Sequence, residues 1–259
     1  MDMKNRLEGK YMPDKEALGE RVVIGLSGGL DSMVAAYLLK IQKYDLVAVT
    51  IVPGWDSFNG DKSQVMACHV DNSKLETIKE FCNQLKIPHE IVRPSNEFQE
   101  TVVEEWMISK ITGSHSNACW NCHSLRMKIL HQKMLDAGAK HLATGHYAKV
   151  FHHANHNSYY VHSSNDELND QSALLNRLSP RILSSLLLPL SDLQKKEVLK
   201  LAENFGMKIG EGKIKMHQCF PSTEKTLDYI KSKIPASMIS SGEIKNSDGS
   251  EHVGDHAGI

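Results

Sequence analysis

Apolar residues in the N-terminal half of the chain switch between two spacings. Arg21-Val22-Val23-Ile24-Gly25-Leu26 is a continuous apolar run ending at glycine, whereas Val34, Ala35, Leu38 and Leu39 recur at helical spacing within residues 31–40. That pattern predicts a buried strand, a tight loop and an amphipathic helix. Residues 45–52, rich in β-branched side chains and stopped by Pro53-Gly54, form a second buried strand. Leu75, Ile78, Phe81, Cys82 and Leu85 mark one face of a helix over 73–85, and residues 87–92 read as a third strand. Two strand–helix–strand units in succession predict an α/β fold, a parallel sheet with helices on both faces.

Beyond this, the pattern gives a helix over 97–110, a loop over 112–121 that carries Cys119 and runs on through Cys122, and a helix over 124–137. A short strand over 140–145 ends in glycine. Residues 151–169, rich in His, Asn and Ser, read as a hairpin excursion, and 194–204 as another helix. From about Gly206 the texture shifts to Gly, Lys and short apolar groups. This predicts a main domain over 1–205 and a small C-terminal unit, or the start of a substrate-binding region, over 206–259.

Composition narrows the function classes. With 41% hydrophobic and 24% charged residues and a formal charge of -1 over 259 residues, the chain is neither disordered nor broadly basic. A nucleic-acid partner would need a local patch. No run reaches membrane-spanning length and residues 1–20 lack a secretory core, so a cytoplasmic protein without a membrane partner is expected. Five cysteines, two of them close together, favour metal, redox or catalytic use over a disulfide framework.

The loop Gly25-Leu26-Ser27-Gly28-Gly29-Leu30-Asp31-Ser32 joins the first strand to the first helix. Adjacent glycines let backbone N–H groups close on an anion at the positive end of a helix dipole. The serine hydroxyls can donate to phosphate oxygens and Asp31 can hold a bridging Mg²⁺. No Lys-Ser/Thr pair follows, so this is not a Walker loop. It resembles the Ser-Gly-Gly-x-Asp-Ser (PP-loop) signature of the ATP pyrophosphatases, which implies cleavage of ATP between its α and β phosphates.

Cys119 and Cys122 form a CxxC pair ahead of Arg126 and Lys128, and Cys219 lies far along the chain. Thiols near a helix start and cationic neighbours make good nucleophiles and metal ligands. The three could carry sulfur, form a redox disulfide, or ligate three irons of an iron–sulfur cluster with the fourth iron open. A structural zinc site completed by His123 or His217, or unreactive thiols, is the bland alternative. Cys82 falls on an apolar helix face as a core residue.

With these residues in view, the chain resembles the bacterial tRNA-uridine 2-sulfurtransferases, the MnmA-type 2-thiouridylases. The resemblance rests on the first loop and helix, Ala143-Thr144-Gly145-His146-Tyr147-Ala148, Asp170-Gln171-Ser172, Leu188-Pro189-Leu190 with Lys196-Glu197-Val198, and Cys219-Phe220. It implies an adenine-nucleotide α-hydrolase-like fold. It also implies ATP contacts from Gly25 to Ser32 and at Gly145, with Ile51 beside the adenine. Cys122 and Cys219 fall on the catalytic cysteines, and Asn117, Asp170 and Gln171 on the substrate side. The reaction implied is adenylation of a pyrimidine carbonyl in tRNA and replacement of its oxygen by sulfur. The sulfur would come from a cysteine desulfurase, a relay protein or free sulfide. In two places the pattern departs from the family: the Lys before Asp-Gln-Ser is Asn169, and an acidic position has become Cys119. The resulting CxxC is similar to that of the iron–sulfur-dependent tRNA 2-thiocytidine synthetases, which implies a [4Fe-4S] cluster on Cys119, Cys122 and Cys219. The family pattern continues past Ile259 into a β-barrel that helps hold tRNA, so the chain is either shortened or a compact member. Two alternatives stay open: an ATP-dependent amide synthetase sharing the same loop, and a non-catalytic nucleotide- or iron–sulfur-binding partner.

Overall fold

The structure is a computed structural model that describes residues 19–53, 70–114, 117–207 and 224–258. Its strands are β1 (Arg21–Gly25), β2 (Asp45–Ile51), β3 (His89–Val92), β4 (His141–Ala143), β5 (Lys149–His153), β6 (Ser158–His162), β7 (Leu186–Leu187), β8 (Gly242–Lys245) and β9 (His252–His256). The α-helices are α1 (Leu30–Ile41), α2 (Asn72–Leu85), α3 (Ser95–Phe98), α4 (Glu105–Thr112), α5 (Ala118–Asp136), α6 (Ser172–Leu175), α7 (Pro180–Leu183), α8 (Lys195–Asn204) and α9 (Glu224–Lys233). A π-helical stretch, Gln99–Glu104, joins α3 to α4, so the helix expected over 97–110 is longer than expected and changes pitch inside.

Two compact units emerge. The first takes in Met1–Val52, Val70–Arg93 and His123–Ile214; the second takes in Pro53–His69, Pro94–Cys122 and Lys215–Ile259. In the first, a five-stranded sheet runs in the order β3-β2-β1-β4-β7, with every neighbouring pair parallel. Strand alternation sorts its side chains to two faces. Val22 and Ile24 join α1, α2 and α8 through Leu38, Ile78 and Leu201, while Val23 and Leu142 join α5 and α7 through Met127, Leu130 and Ile182. Helices therefore cover both faces, as the strand–helix alternation requires. Cys82 is 1% exposed in the first of these cores and burial pushes its thiol up to about 11, fitting its expected packing role.

The hairpin foreseen over 151–169 is present as the antiparallel pair β5–β6. In the second unit, α5 starts at Ala118, so Cys119 and Cys122 lie in its first turns and not in the expected loop. Asn117 explains the difference. Its side-chain Oδ1 accepts the Cys119 N–H at 2.9 Å, an N-cap that starts the helix ahead of any apolar periodicity. β8 and β9 pair antiparallel with a register shift at Ile244/Lys245. Among the described residues no helix is long and apolar enough to cross a membrane.

Candidate nucleotide site

The sheet order places β1 at its centre, flanked by β2 and β4, and the loops leaving β1 and β4 open at the carboxyl edge. Crevices at that edge are where open parallel sheets bind ligands. The loop after β1 turns through Gly28, whose φ of +76° favours glycine. Two serines brace it. Ser27 N–H donates to Ser32 Oγ at 3.2 Å, Ser32 Oγ donates to the Gly29 carbonyl at 2.8 Å, and Gly29 N–H donates to Ser27 Oγ at 3.3 Å. Helix α1 begins at Gly29 with no side-chain cap. Its first-turn N–H groups and the positive dipole end thus face outward with the glycine loop, the arrangement an anion requires.

Gly145, in the loop after β4, closes on this helix start. A Cβ there would stand 2.7 Å from Ser32 N and from Asp31 C. Only a residue without a side chain lets the two loops meet. The next residues anchor the contact: Tyr147, 3% exposed, donates its hydroxyl to Asp31 Oδ1 at 2.7 Å. Lys195, at the start of α8, places Nζ 2.6 Å from Asp31 Oδ1 and 2.7 Å from Oδ2. The ammonium also lies 5.9 Å from the Tyr147 ring centre. Burial, reinforced by the Asp31 charge, pushes the Tyr147 phenol well above its ordinary range, so it stays a donor. Asp31 is the carboxylate expected to hold Mg²⁺. Oδ1 already accepts twice and Oδ2 once, which leaves one lone pair on Oδ2 for a metal shared with Lys195.

Lys195 is itself held by its backbone. Its N–H donates to Asp166 Oδ2 at 2.6 Å, and that bond, together with those from Asn169, keeps the Asp166 carboxyl below its usual range. Asn169, standing where the resembled family has Lys, donates its side-chain amide to Asp166 at 3.0 Å. The substrate-side candidates Asp170 and Gln171 are committed to the backbone. Asp170 accepts from Ser164 N–H, Ser172 N–H and the Ser172 hydroxyl, and Gln171 bonds Tyr147 through both its own N–H and its side-chain oxygen. These bonds shape the loop behind Tyr147.

At the end of β2, the Ile51 carbonyl accepts from Arg126 Nη1 at 3.2 Å. Beside it two imidazoles meet edge to face, His123 and His146, with ring centres 4.9 Å apart. His146 Nδ1 shares a hydrogen bond with Thr144 Oγ1 at 2.8 Å. His123 is 8% exposed and neither ring nitrogen has a hydrogen-bond partner. Burial, with His146 and Arg126 close by, pulls His123 down to about 3, and desolvation pulls His146 to about 4. Both are neutral at physiological pH.

Cys119 is exposed and Cys122 half-buried, three positions apart on α5, which puts both thiols on one side of the helix. Cys219 lies outside the described residues. Among the described residues no group of three or more His, Cys, Asp and Glu converges to hold a metal.

Sequence reading did not single out Tyr147. No local pattern marks Lys195 as the partner of Asp31 either. The Gly145-His146-Tyr147 and Gln194-Lys195 segments flank the loop only once the chain is folded.

A parallel sheet covered on both faces, with an uncapped helix start and a glycine loop at its carboxyl edge, defines an α/β nucleotide-binding domain. The chain belongs to the family described as the tRNA methyl transferase HUP domain, whose profile matches residues 20–222. It is 31% identical over 240 residues to the tRNA-specific 2-thiouridylase MnmA of Staphylococcus saprophyticus, covering 92% of this chain and 62% of that protein. It is 33% identical over 230 residues to the tRNA-specific 2-thiouridylase MnmA of Oceanobacillus iheyensis, covering 88% and 59%. The chain thus spans about 60% of the length of these curated relatives. Among solved structures, the U34-tRNA thiolase NcsA from Methanococcus maripaludis, which holds a [4Fe-4S] cluster, shares the fold. Its TM-score is 0.51 at 19% identity, covering 88% of this chain and 69% of that one.

Proposed function

We propose that this chain is an ATP-dependent tRNA sulfurtransferase, which adenylates a pyrimidine carbonyl and replaces its oxygen with sulfur in a 2-thiouridine-type modification. The observation that carries the reading is the junction of Asp31, Lys195 and Tyr147 at the uncapped start of α1, in a chain of this family.

The reaction needs the carbonyl oxygen to attack the α-phosphorus of ATP, with pyrophosphate leaving. A sulfur nucleophile then adds at the activated carbon and AMP departs with the oxygen. Gly28, Gly29 and the first-turn amides of α1 hold the phosphates, with Gly25, Leu26, Ser27, Leu30 and Ser32 shaping the loop. Lys195 offsets the charge building on pyrophosphate, and the remaining lone pair of Asp31 serves Mg²⁺. Arg126 fixes the end of β2, where Ile51 flanks the adenine, and Gly145 keeps the opposite loop close.

Sulfur is assigned to the cysteines. The thiols of Cys119 and Cys122, on one side of α5, fit a cluster that takes Cys219 as third ligand, and a bound cluster would supply an iron site that presents sulfide. Without a cluster, a desulfurase or relay protein passes persulfide sulfur to Cys122; its outer sulfur adds to the activated carbon, and the Cys219 thiolate then attacks the Cys122 sulfur, closing a disulfide as the product sulfur leaves, with an external thiol resetting the pair. Free sulfide serves the cluster route. Residues 206–259 are proposed as a small C-terminal unit opening a tRNA-binding region.

Isotope exchange between ATP and pyrophosphate, with and without tRNA, tests the reading. tRNA-stimulated exchange is expected. Exchange that needs a small-molecule acceptor instead of tRNA, with ammonia then consumed to form an amide or amine, would mark an amide synthetase, and no exchange would mark a non-catalytic nucleotide-binding partner.

A further inference from the structure

The hairpin β5–β6 supplies nothing to the site after β1, yet its outward face is unusual. Phe151 stands directly opposite Tyr160, and Lys149 opposite His162. Alternation turns Val150 and Val161 inward, where they pack with Tyr159 against the core. The other face carries Phe151, His153, Tyr160 and His162. Phe151 is 51% exposed and Tyr160 46%. Their rings form two clusters on this face: Phe151 meets His162 edge-on at 5.0 Å, and His153 meets Tyr160 at 6.0 Å and His156 at 4.7 Å.

Two neighbouring facts say what such a face suits. From Lys149 to Asn165 the chain holds no Asp or Glu while it holds four histidines, so nothing on the hairpin repels a polyanion. The acids lie at its base: Asp192, which Lys149 pairs with at 2.9 Å, Asp170, which accepts the Ser164 N–H, and Asp166, which follows Asn165. Beside Phe151 there is also a cavity of about 530 Å³, lined with Val150 and the Leu186, Leu187 and Leu188 side of edge strand β7. A protein with a formal charge of -1 cannot hold RNA by a general positive field, so a local surface must contribute. Exposed aromatic rings on a strand pair stack unpaired bases, and imidazoles add donors and acceptors for base edges and phosphate.

We propose that the outer face of β5–β6 is a stacking platform for unpaired bases of tRNA, with Phe151 and Tyr160 supplying the rings. The proposal rests on the RNA-modifying reading above. The full-length protein, its Phe151→Ala/Tyr160→Ala double variant and Phe151→Trp are titrated with unmodified tRNA at several salt concentrations. The double variant is expected to bind at least tenfold more weakly with an unchanged salt slope, because stacking releases no counterions. Phe151→Trp is expected to bind like wild type. Ultraviolet cross-linking of the wild-type complex, read by mass spectrometry, maps the contact independently of any folding defect and is expected to fall within residues 149–162. Wild-type affinity in the double variant, or cross-links confined to other segments, overturns the platform while leaving the RNA reading intact. Absence of tRNA binding by the wild type overturns both.

Discussion

Asp31 and Lys195 are 164 positions apart in the chain, and the Lys195 ammonium bridges both Asp31 carboxylate oxygens at 2.6 and 2.7 Å. The side chains are 25% and 21% exposed, so solvent screens the pair only in part. The contact ties α8 to the start of α1 and leaves a cation beside the glycine loop.

Lys195→Met leaves the Asp31 carboxylate with Tyr147 as its remaining donor. Urea unfolding is expected to show a loss of about 1–3 kcal/mol, and ATP affinity a drop of at least tenfold. Adding Asp31→Asn restores most of the stability, because no unpaired charge remains, but not the affinity. Losses in the two single variants that simply add in the double variant would show that the pair is not coupled.

Gly145→Ala sets a methyl group 2.7 Å from backbone atoms of Asp31 and Ser32, which cannot swing aside. A loss of roughly 2 kcal/mol is expected, together with weakened nucleotide binding. Gly254→Ala, where a Cβ meets nothing within 4 Å, serves as the control and is expected to change stability by less than about 0.5 kcal/mol. Comparing thermal melts with ATP titrations of both variants checks this.

His123 and His146 are held at about 3 and about 4 in the folded protein, whereas an exposed imidazole titrates at about 6.5. Between these values the unfolded chain binds more protons than the folded one. Their contribution is therefore complete above about 6.5 and is lost as pH falls, by up to roughly 4 kcal/mol for the two at pH 5. His123→Phe is expected to flatten the drop in stability between pH 7 and pH 5 by about half. An unchanged slope in that variant would show that the buried imidazole does not govern it.

What the sequence made legible was local. The run Val22 to Ile24, the adjacent glycines and the spacing of Leu38 and Leu39 define strand, loop and helix within one stretch, and the structure places all three there. The start of α5 was missed because a hydrogen bond from the Cys119 N–H to the Asn117 side chain sets it, not hydrophobic spacing. β7 has two residues and exists by pairing with β4, so no periodicity marks it. Tyr147, Lys195 and the backbone commitments of Asp170 and Gln171 depend on contacts between distant segments. The fold class follows from pattern; the wiring of the site follows from packing.

Anaerobic purification separates the two sulfur routes. If a cluster is present, iron and sulfide are expected to co-purify and to be lost in Cys119→Ala. If Cys122 and Cys219 relay a persulfide, the protein is iron-free, and Cys119→Ala keeps its activity while Cys122→Ala abolishes it. Stoichiometric zinc without iron would make the pair structural.

The most direct test is incubation of unmodified tRNA with the protein, Mg²⁺-ATP and sulfide under anaerobic conditions, followed by nucleoside analysis and quantification of AMP. A thiolated pyrimidine formed in step with AMP, and absent with Lys195→Met, is the result the account predicts. AMP without any thionucleoside, or neither product from protein that binds both ATP and tRNA, would contradict it.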